Sequence, residues 1–129
     1  MAFCDPTASV ARGHLLVVRT RKSDIPDWLE LTRSPNPRGR RKALQALCPC
    51  ELKSKVSEVW KRVLEMAADP DAAVRRWTVH VLCDGSPVLY HEEIVRVLES
   101  LYQDPDDRVR RAVRKVLANH RHTGNLNIL

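Results

Sequence analysis

Asp69-Pro70-Asp71-Ala72-Ala73-Val74-Arg75-Arg76 returns 35 residues later as Asp104-Pro105-Asp106-Asp107-Arg108-Val109-Arg110-Arg111, and this repeat limits the fold more than any other feature. One period earlier stands Ser34-Pro35-Asn36-Pro37-Arg38-Gly39-Arg40-Arg41, with the polar opener, the proline and the arginine pair kept. Leu47, Leu82 and Leu117 close the three copies at the same place. A weaker copy opens the chain at Asp5-Pro6-Thr7-Ala8-Ser9-Val10, followed by Arg12. A fixed period of this length means stacked supersecondary units, because one such unit cannot bury its apolar side alone.

The units read as helices. Ser34, Asp69 and Asp104 are expected to cap helix N-termini, with the following proline at the first helical position, where a missing N–H costs nothing. Apolar residues then recur at helical spacing: Val74, Thr78, Val81 and Leu82, and again Val109, Val113, Val116 and Leu117. Between them runs a second set, Val56, Val59, Trp60, Val63 and Met66, matched by Ile94, Val95, Leu98 and Leu101. An earlier counterpart at Ile25, Trp28, Leu29 and Leu31 is short and interrupted by Pro26. The fold class is therefore all-α: a short right-handed α-solenoid of three to four antiparallel helix pairs, with no strand required. Units are expected near residues 5–19, 24–47, 53–83 and 90–122 of a single domain, followed by a tail at 123–129. Gly124 is expected to end the last helix in the left-handed conformation, and Leu126, Ile128 and Leu129 to cover the open end of the stack.

The motif Asp-Pro-x-x-x-Val-Arg-Arg-x-x-x-x-Val-Leu at 69–82 and 104–117 resembles the second helix of a HEAT repeat. The Ser34 copy departs from it, with Gly39 in place of the valine. The resemblance implies a helical scaffold whose motif helices line the concave surface. It also implies that Arg40, Arg75 and Arg110 bond the capping acid of a neighbouring repeat. It implies no reaction, since fold does not decide function; HEAT-like units serve in protein docking, in nucleic-acid binding, in cofactor lyases and in a group of DNA-repair glycosylases.

Chemistry-bearing motifs are absent. The 129 residues include 4 glycines, none clustered, so there is no phosphate-binding glycine loop. His-Glu-x-x-His and Gly-x-Ser-x-Gly are missing too. Neither catalytic residues nor a cofactor are expected. Cys48, Cys50, His80 and Cys83 form a conceivable zinc set, but Cys-x-Cys is a poor match to short zinc motifs. Cys48 and Cys83 also occupy equivalent repeat positions, where Ala118 fills the third copy. They are read as buried structural cysteines, Cys4 as a terminal thiol without a role, and no metal is expected. No apolar run reaches the ~18 residues of a membrane span, no secretory signal opens the chain, and four cysteines make no disulfide scaffold. A soluble cytoplasmic protein is the expectation.

The formal net charge of +6 favours anionic partners. A second arginine column, Arg12, Arg41, Arg76 and Arg111, lies about 100° round each helix from the first. His80 and Lys115 share its side, and Lys42 and Trp77 adjoin it. With core positions already filled by valine and leucine, this column is expected to be exposed on the concave face. Trp28 and Trp60 are read as packing residues, and His120 and His122 as surface residues. Arginine offers a bidentate fork to carboxylate or phosphate, and Trp77 can stack on a base or an arginine. The leading expectation is a non-enzymatic scaffold that docks a protein partner with an acidic surface. The alternative is binding of the phosphate backbone of DNA or RNA, and a glycosylase-like or lyase-like enzyme stands third. The oligomeric state is left open.

Overall fold

The computed structural model describes residues 20–50, 52 and 56–129. The first expected unit, residues 5–19, lies outside the described residues, and Arg12 with it. Six α-helices follow: α1 (Ile25–Leu31), α2 (Pro37–Leu47), α3 (Ser57–Glu65), α4 (Ala72–Leu82), α5 (His91–Ser100) and α6 (Asp107–Thr123). Short 3-10 turns at Lys22–Asp24, Met66–Ala68 and Val88–Tyr90 join them. Among the described residues there is no strand. Pro26 falls in the first turn of α1, where proline is tolerated, and so starts this short helix rather than cutting it.

The motif helices start later than the repeat alignment suggests. Their N-caps are Asn36, Asp71 and Asp106, two residues beyond Ser34, Asp69 and Asp104. The Asn36 side chain accepts from Arg38 N at 2.9 Å, Asp71 from Val74 N at 2.9 Å, and Asp106 from Arg108 N and Val109 N at 2.8 and 3.1 Å. The prolines at 35, 70 and 105 therefore precede the helices. Asp69 and Asp104 instead take the backbone N–H two residues on, Asp71 N and Asp106 N, each at 2.9 Å. This releases the rest of each carboxylate for another partner.

The helices pair as α1–α2, α3–α4 and α5–α6, and the motif helices stack on one another, α2 against α4 and α4 against α6. Val74, Thr78, Val81 and Leu82 are buried, as are Val109, Val113, Val116 and Leu117. The Thr78 hydroxyl is satisfied within its own helix by Val74 O at 2.8 Å. Trp60 is buried and stacks on Tyr90, with ring centroids 6.1 Å apart, while Trp28 is half-buried against the core.

Gly39 keeps its place for a steric reason. A Cβ there would stand 2.9 Å from Ser34 Oγ and 3.1 Å from Ser34 Cβ, so a larger residue would need the Ser34 side chain to shift. Gly124 ends α6 in the left-handed conformation, at φ 75°. The tail folds back as expected and Leu126 is fully buried, yet its polar contacts go to the loop after α4. Asn127 Oδ1 accepts from Gly85 N, Ser86 N and Ser86 Oγ at 2.9, 2.9 and 3.0 Å, and Leu129 N donates to Cys83 O at 3.0 Å.

Candidate functional site

The two arginine columns do different work. In the first, Arg40 grips Asp69 with Nε to Oδ2 at 2.8 Å and Nη2 to Oδ1 at 3.0 Å. Arg75 repeats this on Asp104 at 2.8 and 3.1 Å. Each Nη1 also donates to a carbonyl six residues back in its own entry loop, Ser34 O or Asp69 O, at 2.8 Å. These bidentate pairs stitch each repeat to the next and are shielded from water, with side-chain exposures of 13% and 7% for the first and 12% and 4% for the second. Their hydrogen bonds hold the Arg40 and Arg75 guanidiniums above the ordinary arginine range. Burial alone would raise the Asp104 carboxyl, but the Arg75 and Asp106 N–H bonds and the Arg75 and Arg110 charges outweigh it and hold the group low. Arg110 bonds its own entry loop at Asp104 O and Pro105 O, and Asp107 at 3.4 Å. The column is structural.

The second column faces outward in part. Arg41 and Arg76 are half-buried and Arg111 is exposed. Arg76 lies below the ordinary arginine range, first through burial, then through the positive charges of Arg108 and Arg41, with Asp106 opposing. The α6 charge that acts on Arg76 is thus that of Arg108, one turn before the expected Arg111, which pairs with Asp107. The Arg41 Nε is buried and has no hydrogen-bond partner among the described residues. Lys42 on α2 and Lys115 on α6 are exposed, as is Arg38. Arg38 and Arg108 were not singled out from sequence. Both sit three residues before a column arginine and so on the same helical side, a signal that spacing contains.

Charge is segregated by helix. Neither α2 nor α4 contains an acidic residue, and α6 contains only Asp107. The exposed acids Glu58, Glu65, Glu92, Glu93 and Glu99 lie on α3 and α5. The α2–α4–α6 face is therefore built from helices rich in basic and poor in acidic residues.

Two expected members of that face are not on the surface. Trp77 is 8% and His80 1% exposed. Their rings meet edge to face, with centroids 5.5 Å apart, and His80 Nε2 lies 3.4 Å from Asp84 Oδ2. Burial lowers the His80 pKa below the ordinary histidine range against the pull of Asp84. The cause is the position of α4 in the middle of the stack. With α3 behind it and α2 and α6 on either side, residues 77 to 83 are all buried.

Of the cysteines considered as a set, the structure brings Cys48 and Cys50 together beside Asp84, and leaves Cys83 buried in the core with its thiol pushed up to about 12 by burial and the Asp84 charge. Among the described residues no helix is long and apolar enough to cross a membrane.

A family model described as HEAT repeats matches residues 25–118. No curated protein and no solved structure matches the chain.

Proposed function

The chain belongs to the HEAT-repeat family, and from that premise we propose that it is a non-enzymatic docking scaffold whose α2–α4–α6 face binds an acidic protein surface. HEAT repeats generally serve as protein-interaction scaffolds and are typically non-enzymatic. One observation carries the reading for this chain: Arg41, Arg76 and Arg108 stand on the stacked motif helices α2, α4 and α6, which contain no acidic residue apart from Asp107. Cations gathered on one set of helices favour the approach of a carboxylate. The Arg40–Asp69 and Arg75–Asp104 pairs are the internal example of the same two-pronged recognition. Half-buried guanidiniums suit an Asp or Glu side chain reaching inward better than a phosphate backbone passing over the surface. Arg111, Lys42 and Lys115 form the exposed rim that steers an anionic partner.

Anisotropy titrations test this, with a labelled Asp- and Glu-rich peptide, labelled duplex DNA and labelled single-stranded RNA, each at two salt concentrations. The peptide is expected to bind at physiological ionic strength. Arg76→Glu combined with Arg108→Glu is expected to abolish that binding while the helical circular dichroism and the Tm stay near wild type. Binding unchanged by the double reversal would contradict the proposal. Binding confined to duplex DNA, with a log–log salt slope of about −0.9 per neutralised phosphate, would reassign the face to nucleic acid.

A further inference from the structure

We propose that Cys48, Cys50 and Asp84 bind a thiophilic divalent cation, with Zn²⁺ the ion their chemistry fits. The repeat itself creates the site. Cys48 directly follows α2 and Asp84 lies just beyond α4, and because these helices pack side by side their C-terminal ends are neighbours. Cys48 Sγ lies 3.2 Å from Asp84 Oδ2, and Cys50 Sγ lies 3.2 Å from Cys48 Sγ. All three donor atoms lie within 4.8 Å of one another. Tetrahedral zinc with bonds of about 2.3 Å to sulfur and about 2.0–2.2 Å to oxygen needs donor separations of about 3.8 Å between sulfurs and about 3.5 Å from sulfur to oxygen. The Cys48–Cys50 and Cys48–Asp84 separations come within about 0.6 Å of these values, and Cys50 and Asp84 stand within 4.8 Å of each other, so side-chain rotation has to close the set around the ion.

The donors are held in place. Gly85 adopts φ +103°, and a Cβ there would come within 3.2 Å of Pro49 Cβ, so the loop carrying Asp84 rests directly on the turn carrying both thiols. Asn127 of the tail clamps the next two residues of that loop through the three hydrogen bonds to Gly85 and Ser86. His80 Nε2 lies 3.4 Å from the same Asp84 Oδ2 that faces Cys48. Cys48 is fully buried, whereas Cys50 and Asp84 are half-buried. Two thiolates and a carboxylate form a soft, anionic donor set that selects zinc over calcium or magnesium. On binding, each cysteine loses its proton to solvent as its sulfur takes the metal. The ion then cross-links the ends of α2 and α4 and clamps two successive repeats.

The test uses the full chain, reduced and metal-free, titrated anaerobically with Co²⁺ alone and then with Zn²⁺. One equivalent of cobalt is expected to produce a near-ultraviolet sulfur-to-cobalt charge-transfer band with tetrahedral visible bands, all erased by zinc. Cys50→Ser and Asp84→Asn, both at half-buried positions and each checked for native helical circular dichroism, are each expected to weaken cobalt binding at least tenfold. Cys83→Ala is expected to retain the full spectrum. Cobalt binding without a charge-transfer band, or the same affinity in Cys50→Ser as in wild type, would overturn the proposal.

Discussion

Asp104 shows how much of this fold rests on single charged residues. It is 4% exposed, receives both prongs of Arg75, and its carboxyl is held low although burial alone would raise it. A carboxylate with a depressed folded-state pKa contributes its full stability above the ordinary Asp value of about 3.9. That contribution is lost as pH falls through the lower native value. Asp104→Asn is therefore expected to cost about 2 kcal/mol at neutral pH and to flatten the loss of stability on acidification. Urea unfolding from neutral pH to about pH 3 checks both, and an acid limb as steep as wild type would contradict the assignment. The arginine columns are legible in the sequence because they recur at the repeat period. The acid that Arg40 and Arg75 each grip, 29 residues on, follows only from the resemblance to HEAT repeats. Burial of Trp77 and His80 is not legible at all, since periodicity identifies the face toward a helix's own partner and says nothing of neighbours on either side.

At the scale of elements, the repeat motif contains two polar residues that could begin each helix, two positions apart. The first of each pair looks like the cap because a proline follows it. The backbone selects the second, and the first becomes the acceptor for the preceding repeat's arginine. Spacing cannot separate these roles, because both residues can accept from a nearby N–H, and what decides is that the helical backbone begins only after Asp71 and Asp106. Asp71→Ala and Asp106→Ala are each expected to cost about 1 kcal/mol, the usual value of a lost cap. Asp69→Ala removes a shielded partner of Arg40 and is expected to cost more, about 3 kcal/mol. Equilibrium unfolding of the three variants ranks them, and equal losses would show that cap and inter-repeat acid are not distinct. Gly39 looks like a defect in the motif and proves to sit tightly against the Ser34 side chain.

The whole molecule is a stack in which structural and presented charge occupy adjacent columns. The helix pairs, their order and the all-helical class follow from the 35-residue period alone. The surroundings of Arg76 do not, because the α6 charge that acts on it is that of Arg108 rather than of its repeat counterpart Arg111. The tail likewise closes on the loop after α4 rather than over the last helix, a long-range hydrogen-bond choice made by Asn127. The most direct check on the central claim, that the α2–α4–α6 face receives an acidic partner, is a nuclear magnetic resonance titration. The isotopically labelled chain would receive the Asp- and Glu-rich peptide while amide and arginine side-chain shifts are followed. The account predicts saturable shifts at Arg41, Arg76 and Arg108, with the flanking Lys42, Arg111 and Lys115, and none at Glu58, Glu92 or Glu99. Shifts centred on α3 and α5, or none on the arginine cluster at saturating peptide, would contradict it.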